Sequence, residues 1–209
     1  MTEFNDIHRS RLEQGLAEMK IDLPAEAVSQ LMDFLRMLVK WNRVYNLSAI
    51  KEAEQMIDLH LLDSLAILPF LRGQCCIDVG TGAGLPGIPL AIARPDMMFS
   101  LLDSNSKKTR FIQQVCIDLG LKNVRVVHER VENYRPSQRF DTLTARAFTS
   151  LPDLLTKTRH LLCSNGKLLA MKSKETDKLE REDYTFESLQ SLAIPGLEAT
   201  RNLVIYVAR

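Results

Sequence analysis

The run Ile77-Asp78-Val79-Gly80-Thr81-Gly82-Ala83-Gly84-Leu85-Pro86-Gly87 constrains this chain more than any other segment. It joins an apolar stretch at 75–79 that reads as a strand to a stretch at 85–93 that reads as a helix. Three alternate glycines at such a junction permit a tight turn and let the backbone come close to a ligand. Roughly twenty residues further on, Leu101-Leu102-Asp103 ends a second strand with a carboxylate, where an acidic side chain accepts both hydroxyl hydrogens of an adenosine ribose. The nicotinamide-dinucleotide fingerprint G-x-G-x-x-G is not met, because Leu85 stands at its third glycine. Asp78 would repel a pyrophosphate, yet it can orient the amino-acid part of S-adenosylmethionine, directly or through water. The residues therefore favour S-adenosylmethionine. A nicotinamide dinucleotide and a ligand-free structural turn are the competing readings.

Further strands are expected at 99–102, 124–127, 141–145, 167–171 and 203–208, with an amphipathic helix at 107–119. This alternation predicts an α/β fold: a doubly wound, mostly parallel, Rossmann-like sheet with helices on both faces. The first 70 residues differ, with Val28, Leu31, Met32, Leu35, Leu38 and Val39 recurring at helical spacings. Pro24 suits the first turn of that helix and Asp22 is its expected cap. A second helix is expected over 52–68. The organisation predicted is a helical N-terminal cap, 1–70, on a ligand-binding domain, 71–209, as one structural unit. The polar segment at 173–183 reads as an exposed loop or frayed helix, followed by a Pro195-Gly196 turn.

Cys75, Cys76, Cys116 and Cys163 form no C-x-x-C pair, so neither a metal site nor a disulfide framework is expected. The most apolar stretch, 59–71, is interrupted by His60, Asp63, Ser64 and Pro69 and falls short of the roughly 20 residues that span a bilayer. Glu3, Asp6, Arg9 and Arg11 do not make a secretory signal, and a cytoplasmic protein is expected.

Several spaced segments together resemble one family. They are the glycine run continued through Ile88-Pro89-Leu90, Lys40-Trp41-Asn42, Tyr45-Asn46-Leu47, His60-x-x-Asp63-Ser64, Leu102-Asp103-Ser104 and Arg146-Ala147-Phe148. In this order, across about residues 12–208, they resemble the bacterial small-subunit ribosomal RNA guanine-N7 methyltransferase G family, also called glucose-inhibited division protein B. The resemblance implies methyl transfer from S-adenosylmethionine to N7 of one guanine in the 530 loop of 16S ribosomal RNA, as free RNA or small-subunit ribonucleoprotein. It implies cofactor contacts at Gly80, Leu85, Val131, Glu132 and Arg146, beside Asp78, Gly82 and Asp103 from the glycine-loop reading. One departure is Met171-Lys172-Ser173, where relatives commonly carry glycine after the lysine; it bears on the local loop conformation.

Guanine N7 is unprotonated at neutral pH, so it attacks a sulfonium methyl without first losing a proton. No catalytic acid or base is named, and positioning is expected to carry catalysis. Arg146 reads as a cofactor or RNA contact, or as a strand-end arginine paired with a carboxylate. Asp103 has a second reading as the cap of the next helix, Glu132 as a solvated charge and Val131 as core. His60, Asp63 and Ser64 share a helix face and read as a structural cluster joining the cap to the glycine loop, or as substrate contacts. Trp41 and Tyr45 read as packing, or as a base-stacking pair.

With 27 Lys+Arg against 26 Asp+Glu and a pI near 7.7, the whole chain gives no signature of a nucleic-acid binder. Its distribution is more telling: residues 104–146 hold nine cationic side chains and four carboxylates. Lys107, Lys108 and Arg110 open the helix after Asp103 and read as phosphate contacts or a solvated face, with Lys172 and Lys174 as an extension. The alternatives carried forward are an enzyme of this fold with another acceptor, and a cofactor-binding RNA module without turnover.

Overall fold

Apolar runs too short for helices pair into one sheet wherever the sequence alternates them with amphipathic stretches. The computed structural model describes residues 4–173, 178–197 and 201–209. Its strands are β1 (Cys75–Val79), β2 (Met98–Asp103), β3 (Val124–His128), β4 (Phe140–Arg146), β5 (Leu162–Lys172), β6 (Tyr184–Leu192) and β7 (Arg201–Ala208). They lie in the order β3-β2-β1-β4-β5-β7-β6. Strands β1 to β5 are mutually parallel and β7 runs antiparallel between β5 and β6. The order reverses between β1 and β4, the switch point where open α/β sheets bind ligands at their carboxyl edge.

The helices are α1 (Asp6–Glu18), α2 (Ala25–Tyr45), α3 (Ala53–Met56), α4 (Asp63–Leu65), α5 (Gly87–Ala93), α6 (Ser106–Asp118) and α7 (Leu151–Thr158). One apolar core joins Leu12, Leu31, Phe34, Leu35 and Leu38 of the cap to Ile88, Phe111, Leu101 and Leu203 on one sheet face. A second packs Leu151, Leu154 and Leu155 of α7 against Ile77, Leu143 and Tyr206 on the other. Helices thus cover both faces, and the cap is continuous with the sheet's own core.

The structure departs from the sequence reading in four places. Asp22 does not cap α2: Pro24 occupies the cap position in extended conformation, and no side chain closes that end. The helix expected over 52–68 is wound through a π-helical turn, Ile57–Leu62, between α3 and α4, so that Asp63 N–H donates to Asp58 O. Strand β5 begins at Leu162, ahead of the expected 167, with a register shift against β4. Strand β6 was not expected, because an edge strand with one solvated face carries little apolar signal in Thr185, Glu187, Ser188 and Gln190. The turn at Pro195-Gly196 is present, and of the expected loop only 173 and 178–183 lie among the described residues.

Because cap and sheet share one core, they should unfold together. Leu35 is fully buried in that core. Leu35→Ala should lower stability by about 2–5 kcal/mol in a single urea transition seen alike by far-ultraviolet dichroism and Trp41 fluorescence. A separate, earlier cap transition would contradict this.

Candidate active site

The glycine run turns from β1 into α5 through Gly80, Gly82 and Gly84, all with positive φ. A Cβ on Gly80 would collide with the ring of Phe148, whereas one on Gly82 would meet nothing closer than Gly80 O at 3.9 Å and Lys108 Nζ at 4.0 Å. Gly82 is therefore the place where the backbone lies open to a ligand. The turn hangs from β2: Gly80 N–H and Thr81 N–H both donate to Leu102 O, and Gly82 N–H donates to Asp103 Oδ2 at 2.9 Å.

Asp78 lies beneath this turn, fully buried. Its Oδ2 accepts from Gly87 N–H at the start of α5 and its Oδ1 accepts from Thr144 Oγ1 on β4, both at 3.0 Å. It braces the turn from below. Burial pushes Asp78 up to about 6, although the hydrogen bonds from Thr144 and Gly87 pull the other way.

Asp103 ends β2 and lines a cavity of about 230 Å³ with Val79, Gly80, Leu102, Val131, Glu132 and Phe148. Its Oδ1 accepts from Asn105 N–H, while Asn105 itself caps α6 through Lys107 N–H. Each Asp103 oxygen has one partner and retains a lone pair for a ribose hydroxyl. Val131 is buried and Glu132, largely exposed, is 3.2 Å from Lys157 Nζ. A mostly polar cavity with Val131 and Phe148 in its wall and Asp103 and Glu132 beside them suits an adenosine.

A second cavity, about 410 Å³, lies across the switch point. The cap supplies Leu59, His60 and Asp63, β4 supplies Arg146, β5 supplies Met171 and Lys172, and β7 supplies Arg201. Asp63, 3% exposed in its side chain, accepts from Arg146 at 3.0 Å and from Arg201 at 3.1 Å, one arginine on each oxygen. Arg146 also donates to Leu59 O at 2.9 Å. His60 Nε2 is 2.9 Å from Ser48 Oγ, and Ser64 Oγ donates to His60 O. Burial, aided by Arg146, lowers His60 to about 4, so its imidazole is neutral at pH 7. Lys172 Nζ donates to Thr149 O at 2.8 Å, and burial lowers its pKa too.

Of the residues singled out in the sequence, Gly80, Asp103, Val131 and Glu132 meet at the first cavity and Arg146 and Lys172 at the second. Leu85 is buried in the core under the turn and lines neither. Lys107 and Arg110 are exposed on the first turns of α6, with Lys108 half-buried near Gly82; Lys174 lies outside the described residues. His60, Asp63 and Ser64 are a cluster, but it joins the cap to the ends of β4 and β7 rather than to the glycine loop. Lys157, Thr144 and Arg201 were not anticipated, and Phe148 was named only within the segment Arg146-Ala147-Phe148. Arg201 meets Asp63 across 138 positions, a contact no local pattern signals. Phe148 had a signal, since it stands two residues after a strand-ending arginine. Among the described residues no group of three or more metal-ligating side chains occurs, and no helix is long and apolar enough to cross a membrane.

The fold is that of solved S-adenosylmethionine-dependent methyltransferases. Solved structures of similar fold include a SAM-dependent methyltransferase from Aquifex aeolicus, with a TM-score of 0.56 at 16% identity over 74% of this chain and 93% of that one. Another is magnesium protoporphyrin IX methyltransferase from Synechocystis with bound SAM, with a TM-score of 0.57 at 12% identity over 90% and 99%. The sequence narrows the class: the family model for rRNA small subunit methyltransferase G matches residues 27–204. Ribosomal RNA small subunit methyltransferase G of Nitrosococcus oceani is 50% identical over 204 residues, covering 96% of this chain and 95% of the relative. That of Chromobacterium violaceum is 46% identical over 202 residues, covering 95% and 97%. The chain belongs to the rRNA small subunit methyltransferase G family.

The two buried titrating groups give opposite pH dependences. Between about pH 4 and 6 the unfolded chain ionises Asp78 while the folded chain holds its proton, so this contribution to stability falls as pH rises, by about 3 kcal/mol in all. His60 titrates at 6.5 when unfolded and about 4 when folded, so its contribution is lost as pH falls through that range. Asp78→Asn removes the first slope and leaves the second. Urea unfolding from pH 4.5 to 6.5 should show the variant gaining stability with pH more steeply than the parent. Profiles of identical shape would contradict the placement of Asp78.

Proposed function

We propose that the protein transfers the methyl group of S-adenosylmethionine to N7 of one guanine in the 530 loop of 16S ribosomal RNA, presented as RNA or as small-subunit ribonucleoprotein. The observation that carries this reading is the pair of cavities on either side of the switch point, joined at the end of β4 by Arg146, Ala147 and Phe148. The names of the relatives support the choice of acceptor.

On the β1–β2–β3 side, the open backbone at Gly82, the apolar walls at Gly80 and Val131 and the free lone pairs of Asp103 fit an adenosine. Glu132 stands at the rim, Arg146 faces the second cavity, and Asp78 and Leu85 hold the turn from beneath. When bound, the cofactor supplies a methyl group on a positively charged sulfur. Guanine N7 carries an in-plane lone pair and no proton, so it would form the new N–C bond as the C–S pair returned to sulfur. No protein group has to take a proton, and a neutral His60 with an Asp63 locked between two arginines suits that chemistry. What this chain contributes is position and exclusion of water. Arg146, tied to Leu59 O and Asp63, is fixed in the wall of the second cavity.

Lys107, Lys108 and Arg110 provide an RNA-facing edge beside the glycine turn. With methyl-labelled S-adenosylmethionine, label should appear in the RNA of small ribosomal subunits; label confined to protein would exclude this acceptor, and cofactor binding without transfer would favour a non-catalytic RNA module. Replacing the three cations by glutamine should weaken RNA binding about tenfold or more at low salt and flatten its salt dependence, with cofactor affinity unchanged. Unchanged RNA affinity would return them to a merely solvated helix face.

A further inference from the structure

Trp41 and Tyr45, four residues apart near the end of α2, divide the roles that the sequence left open between them. Trp41 is half-buried and packs on Phe111 of α6, with ring centroids 5.6 Å apart, and Phe111 in turn lies 6.3 Å from Phe34 in the core. Tyr45 stacks on Trp41 at 5.4 Å with planes 30° apart and remains 39% exposed. A ladder of four aromatic rings thus runs from the core to an open surface ring. Burying one face of Tyr45 and leaving its outer side to water gains little for folding.

The end of α2 and the start of α6 both present cations to solvent. Some cations elsewhere are paired: Arg9 with Glu13, Arg36 with Asp33, Arg94 with Asp96, Lys167 with Glu187 and Arg181 with Asp183. Among the described residues, Lys40 and Arg43 on α2 and Lys107, Lys108 and Arg110 on α6 have no carboxylate partner and, Lys108 apart, are exposed. Lys107 and Lys108 stand one helical turn before Phe111, so they belong to the α6 face on which Trp41 rests. An exposed aromatic ring amid unpaired cations is complementary to a polyanion with open bases.

The segment that follows Tyr45 toward the second cavity is pre-shaped. Asn46 ends α2 in left-handed conformation. Asn42 Nδ2 donates to Ser48 O while Asn42 Oδ1 accepts from Ser48 N–H, both at 2.8 Å. Ser48 Oγ then meets His60 of the second cavity. A hollow of about 450 Å³ lined by Asn42, Arg43 and Asn46 reaches Ile50, which also lines that cavity.

We propose that Tyr45, mounted on Trp41, is a stacking platform for an unpaired base of the RNA near the acceptor base, with Arg43 and Lys40 holding the intervening phosphates. The occupant is single-stranded RNA, because an A-form duplex keeps its base faces stacked and offers none to an open ring. This rests on the proposed acceptor being RNA.

Trp41 is the sole tryptophan, so its fluorescence reports on the platform. A short unstructured RNA oligonucleotide should quench it, and the same sequence in a duplex should not. Tyr45→Ala should weaken oligonucleotide binding about tenfold, whereas Tyr45→Phe should retain it. Arg43→Gln should lower the slope of log affinity against log salt by about 0.7. The Arg43 slope and the parent's quenching carry the test if Tyr45→Ala fails to fold. Binding insensitive to Tyr45 and Arg43, or equal quenching by duplex, would overturn the platform. Methyl transfer by the parent protein, measured alongside, separates the two ideas: failure of transfer counts against the RNA acceptor, and transfer with Tyr45-independent binding counts against the platform alone.

Discussion

Asp63 is the point on which the acceptor side of the molecule is assembled. One carboxylate, almost without solvent, is shared by Arg146 from the end of β4 and Arg201 from the start of β7. It comes from the helical cap, so three parts of the chain far apart in sequence meet at one charge. Such a group is held by geometry more than by net energy. Desolvation offsets much of the attraction, but removing one partner of a buried pair costs about 3–5 kcal/mol because the others are left uncompensated. The cap therefore has one seating on the carboxyl edge of the sheet, and the second cavity is a consequence of that seating.

Asp78 does the corresponding work on the other side of the switch point. It bridges the first turn of α5 to β4 and keeps the glycine turn in the shape that leaves Gly82 open and places Gly82 N–H on Asp103. The two buried carboxylates thus stand under the two halves of one site. The neutral state of His60 follows from the same construction, since it is buried beside this cluster with the Arg146 charge nearby. A reaction that moves positive charge from sulfur to a purine, without moving a proton, needs this kind of fixed surrounding more than a titrating group.

The alternation of short apolar runs with amphipathic stretches was enough to read the five strands that lie parallel and the last strand, because most of them are buried and apolar on both faces; the orientation of the last strand was not legible. Strand β6 escaped since its solvated face is polar and its pairing partner follows it in sequence. The glycine turn and Asp103 were legible because their chemistry is local. Asp78 was legible as a carboxylate beside the turn, but its hydrogen bonds to Gly87 and Thr144, which brace the turn, were not. Arg201 carried no signal at all, as its meaning lies in a contact with a residue in the cap. The overall charge of +1 concealed the local excess of cations over carboxylates at 104–146, because carboxylates elsewhere in the chain cancel it in the sum.

The central claim is that the two cavities bring a methyl donor to N7 of one guanine, and N7 chemistry leaves its own mark. N7-methylguanine is cationic and becomes labile to reduction followed by aniline. 16S ribosomal RNA from cells lacking this protein should, after incubation of its small subunits with the purified protein and S-adenosylmethionine, be cut at a single guanine in the 530 loop. Transfer of methyl label to the RNA without such a cut, or a cut that appears equally without the protein, would contradict the account.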